Sequence, residues 1–343
     1  MSRSFIFSGH VGRWCSSFLL IGFLFAVPIS SQAEEIVVYS SRIEQLIKPL
    51  FDVFTKETGI TVKFTTDKEG ALLTRLLAEG KRTPADVLIT TDAGNLWEAA
   101  RNGLLKPVTS PVLQANIPEN LRDPQGQWFG LTVRARTIVY NTRKVKPEEL
   151  STYADLADPK WKHRLCLRTS KKVYNQSLVA MMIAELGETE TERIVKGWVD
   201  NLATDPVADD TLALEFVAAG RCDVTLVNTY YYGRLMRENP TLPLAIFWPN
   251  QATTGVHVNV SGAGVIQYSK HGAAAVRLLE FLSSEQAQKL FVELNMEYPA
   301  NPKVEYGELL NSWGSFRGDP RSIVQAGELQ ADAVRLMDRA GYR

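Results

Sequence analysis

Three consecutive tyrosines, Tyr230, Tyr231 and Tyr232, follow the apolar run Val224-Thr225-Leu226-Val227 and the polar pair Asn228-Thr229. The run reads as a buried strand and the pair as its end, so the tyrosines are expected at a strand's carboxyl end, where open α/β sheets place ligands. A phenol has a pKa of about 10 and offers only a neutral hydroxyl until a highly charged cation beside it displaces the proton. Hard cations select oxygen ligands, and a phenolate is the most electron-rich oxygen a side chain supplies. Fe(III) is the biological ion that best fits such a cluster. The competing reading is plain core, since most aromatic side chains serve packing.

Other chemistry is sparse. None of His10, His163, His257 and His271 forms a ligand pair by spacing, and there is no zinc motif, P-loop, dinucleotide fingerprint or nucleophile elbow. His257, in Val256-His257-Val258-Asn259-Val260, is the one histidine on a strand and reads as structural. A secreted hydrolase is disfavoured, because no Gly-x-Ser-x-Gly turn and no histidine placed as a base are found.

At 343 residues, 45% hydrophobic and 22% charged, the composition is that of a globular chain long enough for two domains. Residues 1–33 stand apart. Arg3 and Arg13 precede the apolar run Phe18-Leu19-Leu20-Ile21-Gly22-Phe23-Leu24-Phe25-Ala26-Val27, and Ser30-Ser31-Gln32-Ala33 follows. This is the pattern of a secretory signal peptide cleaved after Ala33, too short to span a bilayer, and it predicts export to the periplasm. Without Arg3 and Arg13 the chain has 36 basic and 38 acidic side chains, a net charge of −2, so no basic excess points to nucleic acid. Cys166 and Cys222 remain, either as a disulfide or as two buried thiols.

The elements that must position the tyrosines are read from periodicity. Residues 35–41 form an opening strand, and residues 43–58 carry Ile43, Leu46, Ile47, Leu50, Val53 and Phe54 at helical spacing before Gly59. A strand at 60–64, a helix at 71–78, a strand at 83–91 and a helix at 96–102 continue a β-α-β-α-β-α order, which implies a parallel sheet. Residues 128–141 are a β-rich run long enough to pass into a second lobe. There, a strand at 163–167, helices at 176–186 and 190–202 and the segment 212–219 lead to the tyrosine strand. Residues 254–265 read as strand, 273–281 and 285–294 as helices, and 323–339 as a closing helix.

Taken together, Val37-Val38-Tyr39-Ser40-Ser41-Arg42, Thr83-Pro84-Ala85-Asp86-Val87, Arg134-Ala135-Arg136-Thr137-Ile138-Val139-Tyr140-Asn141, Tyr174-Asn175-Gln176-Ser177-Leu178, Asn228-Thr229-Tyr230-Tyr231 and Ser261-Gly262-Ala263-Gly264-Val265 carry a resemblance. In this order and spacing the chain resembles the periplasmic ferric-ion-binding proteins of bacterial ABC importers, over nearly its whole mature length. The resemblance implies an α/β, two-lobed type II periplasmic binding protein fold, each lobe a mostly parallel sheet flanked by helices, joined by a hinge near residues 134–136 and 260–262. The expected division is signal peptide 1–33, lobe 1 at 34–134, lobe 2 at 135–260, a return to lobe 1 at 261–309, and a helical segment on lobe 2 at 310–343.

By the same resemblance Tyr230 and Tyr231 are metal ligands and Tyr174 is the third tyrosine of the branch that uses three, while Tyr232 is left as packing. Three phenolates would cancel the charge of Fe(III). Tyr140 ends another strand and is a further candidate, though its matching position in the family is not a ligand. Many relatives carry His or His-Tyr after Tyr-Ser-Ser-Arg; here Ile43-Glu44 stands instead, which makes Glu44 the candidate ligand from lobe 1. Another branch uses a glutamate near residues 69–70 and a phosphate on a Ser-Gly-Ala turn. Here Glu69 is one position off and Lys171-Lys172-Val173 replaces the turn, so phosphate is not expected. Arg42 and Arg134, with Ser40 and Asn228, either hold a carbonate-like anion or support the phenolates from behind, and a salt bridge is the alternative for the two arginines.

The implied function is a monomeric, non-enzymatic binding protein that captures Fe(III), with Fe(II) as a second accepted form, and passes it to an inner-membrane ABC permease. The alternative is an organic solute such as thiamine, a polyamine or a phosphonate, with the tyrosines as cleft walls.

Overall fold

The structure is a computed structural model that describes residues 4–9 and 34–343. The apolar run and cleavage point expected of a signal peptide lie outside the described residues.

The amino-terminal third builds the expected alternation. β1 (Glu35–Ser40), β2 (Thr61–Thr66) and β3 (Val87–Thr90) pair in parallel in the order β2-β1-β3. α1 (Glu44–Thr58), α2 (Glu69–Glu79) and α3 (Ala93–Arg101) follow these strands in turn, and α4 (Pro111–Asn116) comes next. α1 buries Ile47, Leu50, Phe51 and Phe54, one face of a 3.6-residue repeat, and Gly59 stops it in the left-handed region at φ 73°.

β4 (Phe129–Asn141) is buried along its whole length because it serves two sheets. Its residues 129–135 pair antiparallel with β8 (Val258–Val265), and residues 136–140 pair antiparallel with β6 (Val224–Asn228). The change of partner falls between Ala135 and Arg136, where the strand leaves one lobe for the other. β8 ends its pairing at Val258 and continues antiparallel to β3 at its other edge. A Cβ on Gly262 or Gly264 would lie 2.5 Å from the Phe129 or Gln127 carbonyl oxygen, so only glycine lets these backbones approach.

The second sheet is completed by β5 (Leu165–Cys166), parallel to β6, and β7 (Leu244–Phe247), antiparallel to β4; β9 (Tyr298–Pro299) adds to β4 in the first. The sheets are therefore mixed: parallel where helices connect neighbouring strands, antiparallel where β4 and β8 run between lobes. α5 (Val173–Leu186), α6 (Glu188–Asp200), α7 (Asp210–Ala218) and α8 (Thr229–Glu238) belong to the second lobe, and α9 (Gly272–Ser283) and α10 (Glu285–Asn295) cover the first. α11 (Glu308–Asn311) follows β9. The expected closing helix is broken at Leu329 into α12 (Val324–Glu328) and α13 (Gln330–Arg339). α12 packs against both α3 and α5, and α13 against α5 and α6.

Cys166 and Cys222 form a disulfide, which resolves the open alternative. β5 and β6 are parallel neighbours in register, and Cys222 lies just before β6, so the two side chains meet at one sheet edge.

Candidate functional site

The tyrosines do not extend a strand. β6 ends at Asn228 and α8 begins at Thr229, so Tyr230 and Tyr231 occupy the first turn of a helix. The β-propensity of a tyrosine run points the other way, but Tyr232 and Leu235 are buried on one side of α8 while Arg237 and Glu238 face outward, an amphipathic pattern that settles it. Tyr174 likewise sits in the first turn of α5, which begins three residues before the expected 176. Both helix amino termini carry partial positive charge, which draws anions toward this end of the cleft.

Tyr174 and Tyr230 are 7% and 5% exposed, and the Tyr230 hydroxyl donates to the Tyr174 oxygen at 3.3 Å. The Tyr231 ring centroid lies 4.4 Å from that of Tyr230, and its oxygen accepts from Arg168 Nη1 at 3.5 Å. Asn228 Nδ2 donates to the Tyr230 oxygen at 3.5 Å. These three tyrosines line a cleft of about 720 Å³ together with Arg42, Glu44, Glu69, Arg134, Lys172, Arg234 and Glu297.

Cations surround the rings. Arg134 and Arg168 Cζ each stand 5.6 Å from the Tyr174 centroid, Lys172 Nζ 4.7 Å from it, and Arg234 Cζ 5.0 Å from the Tyr230 centroid. Burial, and then the neighbouring phenols Tyr174 and Tyr231, nonetheless push the Tyr230 phenol well above its ordinary range, with Arg134 pulling the other way. Without a metal Tyr230 is a neutral hydrogen-bond donor; a cation in the cleft must displace its proton.

Arg42 and Arg134 share a carboxylate that the sequence did not single out. Arg42 Nη2 donates to Glu297 at 2.9 Å, Arg134 Nη1 lies 3.7 Å from the same carboxylate, and all three side chains are at most 5% exposed. Burial opposes the charge on Glu297, but the two guanidiniums outweigh it and hold the carboxyl below its usual range. The salt bridge is thus the arrangement present, and the Nε of each arginine is buried without a partner.

Two candidates fall away from the cleft. Tyr140 pairs with Val224 at the start of β6, four residues from Asn228, so it lies in the core at the opposite end of the strand from the tyrosines. Ser40 is fully buried, and its Oγ accepts from the Arg42 backbone N–H at 3.1 Å, reaching the cleft only through Arg42. Glu44 lines the cleft from the first turn of α1, and Asn228 stands beneath Tyr230. His257 is buried, and desolvation lowers its pKa to about 3. Tyr232 packs edge-on against Trp313. Among the described residues no cluster of three or more His, Cys, Asp or Glu side chains is placed to hold a metal.

The family profile of the bacterial extracellular solute-binding proteins matches residues 82–312. This chain belongs to that family. As a solute-binding protein it is 43% identical to iron uptake protein A1 of Synechocystis, over 95% of this chain and 98% of that protein. Its fold matches a Trichodesmium FutA in complex with iron and citrate at a TM-score of 0.87 and 43% identity, covering 90% of this chain and 100% of the other. A ferric-binding protein from Campylobacter jejuni matches at a TM-score of 0.85 and 35% identity, over 90% and 100% of the two chains. The matches are to two-lobed binding proteins, and such solute-binding proteins are not enzymes.

Proposed function

We propose that this solute-binding protein captures Fe(III) in the cleft as phenolates of Tyr174, Tyr230 and Tyr231 and delivers it, from the periplasm, to an inner-membrane ABC permease. The observation that carries the reading is the convergence of phenol oxygens from two helix amino termini, 3.3 Å apart at Tyr174 and Tyr230. The names of the relatives, iron uptake protein and ferric-binding protein, agree with it. An organic solute held by aromatic walls would use ring faces; here hydroxyls point at one another, and cations cover the faces.

Because the three tyrosines belong to one lobe, they take up the ion before the lobes close. Closure about the Ala135–Arg136 crossing then brings Glu44, water or a carbonate-like anion to the remaining positions, with Arg42 and Arg134 nearby. Three phenolates neutralise a trivalent ion but overcompensate a divalent one, so Fe(II) binds more weakly in this site. Protons compete for the phenolates, so acid releases the ion.

Ferric citrate added to the purified metal-free protein tests this. A red-orange phenolate charge-transfer band is expected, bleaching as pH falls. A protein that stays colourless and retains no iron after desalting contradicts the assignment.

A further inference from the structure

Behind the tyrosines lies a buried polar cluster centred on Tyr342. Tyr342, just past α13, is 2% exposed and is not among the residues that line the cleft. Its hydroxyl donates to the Arg168 carbonyl at 2.5 Å and accepts from Asn175 Nδ2 at 2.8 Å. Asn175 Nδ2 also donates to the Arg168 carbonyl at 2.9 Å, closing a triangle of buried polar groups.

Two corners of that triangle, Asn175 and Arg168, lead to tyrosines of the cleft. Asn175 is the neighbour of Tyr174 in the first turn of α5, and its Oδ1 accepts from Arg136 Nε at 3.0 Å. Arg168 carries the guanidinium that donates to Tyr231 and stands over the Tyr174 ring. Beneath them Asp210, fully buried, accepts from Arg136 at 2.9 Å and from the Asn228 backbone N–H at 3.1 Å, and lies 3.7 Å from Arg168. Arg168 stands in the stretch between β5 and α5, where one parallel bridge to Val207 holds its backbone from one side and these side-chain bonds hold it from the other.

We propose that Tyr342 is a positioning residue for the metal site: its hydroxyl locks Arg168 against Asn175, and so fixes the guanidinium at Tyr231 and the turn that presents Tyr174. This rests on the ferric reading of the cleft. Loss of the hydroxyl leaves the Arg168 carbonyl with the Asn175 amide as its one side-chain donor, which loosens this side of the segment, and the guanidinium that donates to Tyr231 then shifts. Partners behind metal ligands typically contribute 10- to 100-fold to affinity, and the electronic environment of a ligand follows their position.

The test titrates wild type, Tyr342→Phe, Arg168→Gln and Tyr39→Phe with ferric citrate, reading the visible band, iron affinity and metal-free melting temperature. Tyr39 is the matched control, a buried phenol in the other lobe that donates to Glu79 at 2.9 Å. Tyr342→Phe is expected to shift the band and weaken binding about 10- to 100-fold, in the direction of Arg168→Gln, whereas Tyr39→Phe lowers stability alone. A Tyr342→Phe protein with wild-type band and affinity overturns the proposal, as does one that changes only in melting temperature. Should Tyr342→Phe fail to fold, Asn175→Asp, which removes the donor to the hydroxyl, takes its place under the same criteria. A colourless wild type instead refutes the ferric reading itself.

Discussion

The phenol oxygens of Tyr230 and Tyr174 stand 3.3 Å apart although the residues are separated by 56 positions in the chain. Two oxygens each about 2 Å from a small hard cation, at a right angle, would be about 2.8 Å apart. A movement of a few tenths of an ångström therefore converts this hydrogen bond into a chelate. Tyr174→Phe and Tyr230→Phe are each expected to weaken ferric binding by about 100-fold or more, beyond the usual effect of a residue behind the ligands. Tyr232→Phe, whose hydroxyl reaches only the Leu244 carbonyl at 3.4 Å, is expected to keep wild-type affinity. Competition titrations against citrate measure all three.

Proton release accompanies binding. Tyr230 is held protonated by burial and by its neighbouring phenols, so ferric uptake at neutral pH must expel its proton, and affinity must fall as pH falls. Calorimetry in two buffers of different ionisation enthalpy measures the number released; Tyr230→Phe should release about one fewer. The same shift acts on the metal-free fold with its own sign. Because the folded-state pKa lies above the unfolded value of about 10, the contribution of Tyr230 is present below pH 10 and is lost as pH rises beyond it. The difference in melting temperature between wild type and Tyr230→Phe should therefore stay constant at neutral pH and change only in alkali.

What the sequence made legible follows the reach of each signal. The 3.6-residue spacing from Ile47 to Phe54 and the apolar stretch of β4 were readable because burial repeats along the chain itself. Tyr174, Tyr230 and Tyr231 were found by chemistry and resemblance, but not their setting: aromatics favour strands by propensity, and only the packing of Tyr232 and Leu235 makes α8 a helix. Glu297, Arg168 and Tyr342 left no local mark. They reach the site through tertiary contacts across 255 positions to Arg42, 63 to Tyr231 and 167 to Asn175, respectively. The place of Tyr140 was set by strand register, which fixes which end of β6 it meets.

Asp92 supplies a second pH dependence, in the mildly acidic range. Its fully buried carboxylate, at the amino cap of α3, accepts from Gly94 N, Asn259 Nδ2 and, across the lobes, Ser177 Oγ at 3.0 Å. Burial pushes its pKa up to about 6, against the pull of Arg134. A raised carboxyl pKa means that its stabilising contribution is full below the unfolded value near 3.9 and is lost as pH rises through about 6. Asp92→Asn is expected to flatten the melting temperature of the metal-free protein between pH 4 and pH 6.5, approximate bounds set by those two pKa values.

The disulfide closes a loop across 56 residues between the strand that precedes Arg168 and the strand that precedes the tyrosines. Chain-entropy arguments give a link of that span roughly 4 kcal/mol of stability. Cys166→Ala with Cys222→Ala is expected to lower the denaturation free energy by up to about that amount while leaving the ferric band in place in the protein that remains folded. Urea melts monitored by tryptophan fluorescence, paired with the visible spectrum, separate the two effects.

The most direct test of the central claim is anomalous diffraction at the iron edge from crystals grown with ferric citrate. A single strong peak is expected about 2 Å from the oxygens of Tyr174, Tyr230 and Tyr231 at once, the bond length of a small hard cation to oxygen. A peak bound elsewhere, or a cleft in which the three hydroxyls keep hydrogen-bonding one another beside an iron-free solute, would contradict the account.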